Sequence, residues 1–305
     1  MATGNMKDIK RRIKSVGSTM QITKAMELVA SSKLRNARKR ATKSRPFFEM
    51  QAKTLTDIVR SRHNIETRFT HVRETAPENK KILHILIAGD RGLAGGYNSG
   101  MFKLFMSETS EEKESPPKVI TIGKKAVEWF EKRDYDIVAK HPGLAENVKS
   151  AHCAAIAKTA IRLFLSGEVD EVKLFYTKYV SSMVQEPTVM PLLPIVTSKI
   201  GKGMIVKKAG KSKKEEDLEK PKEITFDPSP EAVFNRIIPS FLMSIIECAI
   251  VESYTSEQCA RRIAMESASD NAEEMIGNLS LLYNRARQEK ITNEINEIVG
   301  GANAL

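Results

Sequence analysis

Both ends of this chain carry seven-residue hydrophobic repeats, and that pairing constrains the fold more than anything between them. Near the start, Ile9, Ile13, Val16 and Met20 are spaced 4, 3 and 4 residues apart, the stripe of a helix that buries one narrow face. Near the end, Ala268, Ala272, Met275, Leu279, Leu282 and Ala286 step by 4, 3, 4, 3 and 4. The first stripe reads as shifting face to Ile22, Met26 and Val29, and the second as resuming after a shift through Ile291, Ile295 and Ile298. Between Met6 and about Arg60 the one proline is Pro46, expected to kink the helix or end its first part. The run Asp227-Pro228-Ser229-Pro230 is a helix start, since proline is tolerated in a first turn. Val233, Ile237, Phe241, Ile245 and Ile246 then give one face, with a local bend expected at Pro239. As one helix, residues 230–299 would span roughly 105 Å, too long for a compact domain of this mass. The simplest way to bury both stripes is against each other, as an antiparallel coiled coil.

The middle of the chain changes period. "KILHILIAGD" (81–90), "PKVITIG" (117–123) and "VDEVKLFYTKYV" (169–180) are strand patterns, and "KKAVEWFEKRDY" and "AENVKSAHCAAIAKTAIRLFLSGE" alternate with them as helices. That alternation predicts a small α/β domain over about residues 80–196. The charged, aromatic-poor stretch 199–223 reads as an exposed loop or hairpin insertion. The expected organisation is an N-terminal coiled-coil helix (1–75), a central α/β domain (76–198), a charged insertion (199–227) and a C-terminal coiled-coil helix (228–305).

Charge is distributed unevenly. Residues 1–73 carry 18 Lys/Arg against 5 Asp/Glu, a balance of +13, so the remaining 232 residues sum to −2 of the total +11. A basic first quarter asks for an acidic partner: nucleic acid, anionic lipid or an acidic protein surface. The run "KLRNARKR" with Lys43 and Arg45 has no interleaved aromatics on which bases could stack. Composition alone leaves those partners open, and a solvated helix face is the plainest alternative. Cys153, Cys248 and Cys259 are too few and too scattered for a disulfide framework or a zinc site. The five histidines show no metal-ligand spacing, and His152 and Cys153, as helix neighbours, point apart rather than form a dyad. No apolar run of 18 residues is evident, so no membrane span is expected.

The glycine-rich "AGDRGLAGGYN" (88–98) follows a strand and invites a phosphate-loop reading. A Walker loop needs Lys-Ser/Thr after its last glycine, and here Tyr97-Asn98 follows; Gly89, Gly92, Gly95 and Gly96 also miss the dinucleotide spacing. A tight strand-to-helix turn fits better. The alanines of the second heptad stripe permit close backbone approach and a thin rod, where a stable coiled coil would use Leu or Ile. Two other functional classes stay open on these grounds: a basic coiled coil that binds nucleic acid, and a nucleotide-binding enzyme built on the middle domain.

The two ends taken together, "IKRRIKSVGSTMQITKAMELVASSKLRNA" and "ARRIAMESASDNAEEMIGNLSLLYNRARQEKITNEINEIVGGANAL", resemble the γ subunits of F-type ATP synthases, and "GDRGLAGGYN" is similar to that family's middle-domain turn. The resemblance covers essentially the whole chain. It implies a central rotor stalk: an antiparallel coiled coil inside a ring of alternating α and β subunits, and a small Rossmann-like α/β domain whose foot sits with ε on the membrane c-ring. It implies no catalytic group, no cofactor and no metal in this chain, no nucleic acid and no small-molecule substrate. Proton or sodium flow would turn the shaft and change each β subunit's nucleotide preference in turn. Carried over motif by motif, Lys24 and Met26 of "ITKAMELV" match the segment facing the C-terminal helix and a catch region of β. Arg287 and Gln288 of "RARQ" match polar partners of a β catch loop. Asp90, Arg91 and Gly92 match the turn near an acidic lever loop of β, with Lys33, Arg35 and Arg38 as its electrostatic neighbours. Ile224, Phe226 and Asp227 of "ITFD" match the foot near ε and the c-ring. The chain departs from the family pattern in having Ala94 where cysteine is frequent, and no cysteine in the 199–223 insertion. That lack removes the thiol switch of chloroplast members and implies the cytoplasmic face of a bacterial membrane.

Overall fold

The computed structural model describes residues 6–61, 65–73, 80–110, 117–196 and 226–302. In chain order the elements are α1 (Met6–Ser61), β1 (Ile82–Ile87), α2 (Tyr97–Glu108), β2 (Lys118–Ile122), α3 (Lys124–Glu131), β3 (Asp136–His141), α4 (Ser150–Ser166), β4 (Glu171–Tyr179), β5 (Gln185–Leu193) and α5 (Pro230–Ala302). The chain forms two compact units. One comprises residues 1–32 with 261–305, and the other residues 33–260.

The first unit is the expected antiparallel helix pair. Along α1 a sheltered stripe runs through Met6, Ile9, Ile13, Val16, Met20, Thr23, Glu27 and Ala30, an unbroken alternation of three- and four-residue steps, with Gly17 and Met26 half-buried beside it. Register is fixed by two contacts: Gly17 faces Ile276, and Thr23 Oγ1 lies 2.7 Å from Ser269 Oγ. Numbering rises on one helix as it falls on the other. Two sequence expectations are corrected here. The stripe does not shift face on α1, because Ile22 and Val29 are 60% and 55% exposed and the seam runs through Thr23 and Ala30 instead. On α5 the seam takes Ile276 and Tyr283, leaving Met275 and Leu282 outside. Both pairs place two apolar residues side by side, so periodicity admitted either phase; the register with α1 selects one.

The second unit is a three-layer α/β body. Its sheet has the order β3-β2-β1-β4-β5, parallel except for the antiparallel β4–β5 hairpin. Every residue of β1, "ILHILI", is buried, as a central parallel strand covered on both faces must be. Its alternate residues serve different layers. Leu83, Ile85 and Ile87 join α4 and the portions of α1 and α5 belonging to this unit, where Phe48 of α1 stacks on Phe241 of α5 with centroids 5.7 Å apart. Leu86 and Ala88 join Met101 and Phe105 of α2 and Ala126 and Phe130 of α3. Sequence reasoning found β1, β2 and β4 but not β3 or β5, whose half-exposed residues give no clean alternation.

Helix α5 starts where expected: Ser229 Oγ accepts the Ala232 N–H at 3.2 Å, the capping geometry that satisfies a first-turn donor. Pro46 and Pro239 both lie inside helices, and neither ends one. At 73 residues α5 is roughly 110 Å long. One further expectation is corrected: α5 does contain an 18-residue window apolar enough to cross a membrane by length and composition. That apolarity goes into the body's core, where Phe234, Ile238, Phe241, Leu242, Ile245, Ile246, Ala249 and Ile250 are buried.

Candidate functional site

In an open parallel sheet, ligands bind at the strands' carboxyl ends, in the crevice where strand order reverses. Here that crevice lies between β1 and β4, and side chains of α5 occupy it. Beyond the end of β1, the exposed edge of β4 is completed by α5: Ser253 Oγ accepts the Thr177 N–H at 3.0 Å, Ser256 Oγ donates to the Thr177 carbonyl at 3.2 Å, and Glu252 Oε1 accepts the Tyr179 N–H at 3.1 Å. Cys259 donates its thiol hydrogen to the Ser182 carbonyl just past the strand. Buried Glu257 lies against Gly89. A phosphate entering here would meet two carboxylates and few donors not already used.

The glycine-rich turn is built to be rigid. Gly89 N–H donates to Asn98 Oδ1 at 2.9 Å, and the Gly89 carbonyl accepts from Lys125 N–H at 3.0 Å. Asp90 Oδ1 accepts two backbone N–H groups, Lys124 at 2.8 Å and Gly143 at 2.7 Å. One carboxylate thereby ties together the ends of β1, β2 and β3. Gly123, at φ +97°, sits so close that a Cβ there would come within 2.1 Å of the Ala88 carbonyl oxygen. Among the turn residues singled out from sequence, Asp90 is turned inward on this latch, while Arg91 and Gly92 are exposed. Leu93, which sequence reasoning passed over, is exposed beside them in the left-handed region at φ +61°.

The cations of α1 divide into engaged and unengaged groups. Lys33 Nζ pairs with Glu146 Oε1 at 2.5 Å, and Arg40 bonds the Glu146 carbonyl at 2.7 Å. Arg38 lies over the Tyr179 ring, 5.2 Å from its centroid, and hydrogen-bonds its hydroxyl. Arg35 is exposed and makes no ion pair with any described residue. In the helix pair, Lys24, Arg287 and Gln288 are exposed and Met26 is half-buried. Of the foot residues, Phe226 packs on the body's core and Asp227 is exposed; Ile224 lies outside the described residues. The structure thus distributes the sequence-derived positions over two units rather than gathering them into one cavity.

Conventional catalytic groups are buried or disarmed. Burial first, and then neighbouring Glu247, push the thiols of Cys153 and Cys248 up to about 12, so neither supplies a thiolate nucleophile near neutrality. His84 is enclosed between Phe105 and Phe175. His141 is pulled below the usual imidazole value, first by burial and then by His152. No group of three or more His, Cys, Asp or Glu residues able to hold a metal occurs among the described residues. Glu252, which the sequence did not flag, is pushed up to about 7 by burial, and its Oε2 has no hydrogen-bond partner among the described residues.

The family described as ATP synthase matches residues 5–305. The ATP synthase gamma chain of Ruminococcus albus is 47% identical over 300 residues, covering 96% of each chain. The sodium ion specific gamma chain of Acetobacterium woodii is 43% identical, covering 99% of each. Among solved structures, a chain of the Euglena gracilis mitochondrial ATP synthase (OSCP/F1/c-ring, rotational state 3) matches with a TM-score of 0.64 at 19% identity, covering 99% of this chain and 95% of that one. A chain of the Tetrahymena thermophila central stalk and c-ring matches at 0.57, covering 81% of this chain and 99% of that one.

Proposed function

We propose a route for torque through this chain, which belongs to the ATP synthase gamma-chain family. It is a non-catalytic subunit, the central stalk that couples ion flow through the membrane c-ring to the catalytic β subunits. The observation that carries the route is the outer surface of the helix pair. Ile22, Leu28, Val29, Met275, Leu281 and Leu282 point away from the seam, and α5 is exposed from Arg287 to Val299, Ile291, Ile295 and Ile298 included. Such a surface asks for a surrounding partner. A sleeve of α and β subunits fits it, and the scattered apolar contacts guide without forming a deep pocket that would trap one angle.

Residue roles follow from position. Met26, half-buried beside the seam, and exposed Lys24 present one contact strip to β, while Arg287 and Gln288 present another farther along α5. Arg91, Gly92 and Leu93 form a second contact site on the body, held rigid by Asp90. Arg35, exposed and without an ion pair to any described residue, lies between Lys33 and Arg38 in sequence and suits an acidic loop, with Lys33 and Arg38 bracing the surface around it. Phe226 anchors the start of the foot and Asp227 faces ε and the c-ring; Ile224, outside the described residues, is assigned to the same contact by the family motif alone. A single stalk cannot contact three equivalent β subunits alike, so each is biased toward a different state, and the bias runs in both directions. The complex is membrane-associated. The absence of cysteine from residues 199–223 supports the cytoplasmic face of a bacterial membrane.

The test is reconstitution with α and β subunits and the membrane sector. Met26→Lys places a charge beside the seam where β would press, and is expected to lower ATP-driven ion pumping relative to ATP hydrolysis. Full pumping by that variant would refute the contact assigned to Met26, and failure to copurify with α and β would refute the sleeve.

A further inference from the structure

We propose that Glu257 is a positioning residue: it seats the Gly89–Leu93 turn on α5, so that load at the turn is carried directly into the stalk helix. The inference rests on the reading of that turn as a contact site. Three observations lead to it. Glu257 is 3% exposed although its side chain is ionisable, which is rare for a carboxyl group with no structural or functional task. Its carboxyl lies so close to Gly89 that an added Cβ would stand 2.9 Å from Oε1 and 3.0 Å from Cδ. Gly89 adopts no left-handed conformation, so its lack of a side chain answers to that close approach rather than to backbone strain.

The rest of the turn leaves no slack. Gly89 is bonded through its N–H to Asn98 and through its carbonyl to Lys125, and Asp90 takes the N–H groups of Lys124 and Gly143. A displacement at exposed Arg91 or Leu93 therefore moves the three strand ends as one piece. Glu257 bears on this piece from α5. It follows Glu252, Ser253 and Ser256, which hold β4 to the same helix. The strand ends and α5 thus meet at both β4 and β1, and at β1 the close contact is that of Glu257 with Gly89. α5 is a single helix from Pro230 to Ala302, so a force received at residue 257 enters the element that carries the helix-pair seam.

The experiment uses the reconstituted complex with Glu257→Ala, Glu257→Gln and Gly89→Ala, measuring pumping per ATP hydrolysed alongside hydrogen exchange at the amides of Gly89, Lys124, Lys125 and Gly143. Glu257→Ala removes the seat and should lower pumping per ATP by roughly 2- to 30-fold, the range that residues along a coupling route produce, with faster exchange at those four amides. Glu257→Gln keeps the shape and should retain most of the coupling. Gly89→Ala should displace the carboxyl and reproduce the loss. Combined with Glu257→Ala, its methyl fills the vacated space and should restore part of the coupling. A purely structural defect would instead lower assembly, with pumping and hydrolysis falling together. Wild-type pumping per ATP in Glu257→Ala with unchanged exchange overturns the proposal. Arg91→Ala and Leu93→Ser form the separate arm: wild-type pumping there overturns the contact site itself, and leaves the exchange result at Glu257 standing.

Discussion

The two units spend the same kinds of residue in opposite ways. In the α/β body, Phe48, Phe105, Phe130, Phe234 and Phe241 are all buried, the parallel strands are covered on both faces, and α5 completes the open edge of β4 with side-chain hydrogen bonds. In the helix pair the seam is half-buried for most of its length, alanine and serine stand where leucine would strengthen it, and large apolar residues face outward. The body buries its aromatic core, although Leu93 and Met183 stay exposed on it. The pair leaves burial incomplete, and a coiled coil optimised to stand alone would offer a ring of partners nothing to hold. Most of the fold's buried core is therefore in the body, while the helix pair relies more on partners, although α1 and α5 belong to both units.

That separation sets an order of expected effects. The largest belongs to the body. Phe241→Ala removes a fully buried ring stacked on Phe48 and should destabilise the isolated chain by about 3–5 kcal/mol, read from denaturant unfolding. Next comes pH. Glu252 has its carboxyl raised to about 7 by burial, against the weaker lowering by the Tyr179 N–H, Lys178 and Arg45. An acid with a raised folded pKa is more protonated in the folded chain than in the unfolded one. Its stabilising contribution is complete below the ordinary carboxylate range and is lost as pH rises through about 7. Between pH 5 and 8 the body should lose on the order of 2 kcal/mol, and Glu252→Gln should flatten that slope. A slope unchanged by the substitution would assign the pH dependence elsewhere. Smaller still, Ile276→Ala removes a half-buried seam residue opposite Gly17 and should cost about 1 kcal/mol. A value matching Phe241→Ala would erase the distinction between the units.

The same contrast explains what was legible in advance. The helix pair was visible because a seven-residue repeat states its own period, and the direction of pairing followed from having one stripe at each end. Its phase was not visible wherever apolar residues are adjacent. Met275 and Ile276 satisfy the repeat equally, and only contact with α1 decides between them. The central strands were legible because burial on both faces demands continuous apolar runs, as in "ILHILI". The edge strands β3 and β5 were not, since half of each faces solvent and Pro187 and Pro191 interrupt β5. The exposed positions of the site came from family motifs rather than from periodicity. Glu257 and Glu252 escaped because a glutamate inside a helix reads as solvated surface. What makes them informative is the backbone they touch, and Gly89 and Tyr179 are far from them in sequence.

The smallest expected effect on the chain alone is also the sharpest test of the comparison. Ile295 is 54% exposed on the part of α5 that lies beyond Met6, the first described residue of its partner helix. Replacing it with serine takes little apolar area out of contact with protein, so the isolated chain should change by no more than about 0.5 kcal/mol. Within the assembled complex the same side chain would be enclosed by the ring. Ile295→Ser should then lower retention of the stalk by α and β subunits in a dissociation assay, although unfolding of the free chain is unaltered. If stability of the free chain fell as it does for Phe241→Ala, the tip would have an intramolecular partner. The outward residues of α5 would then belong to the fold, and the division between a self-sufficient body and a helix pair completed by others would not hold.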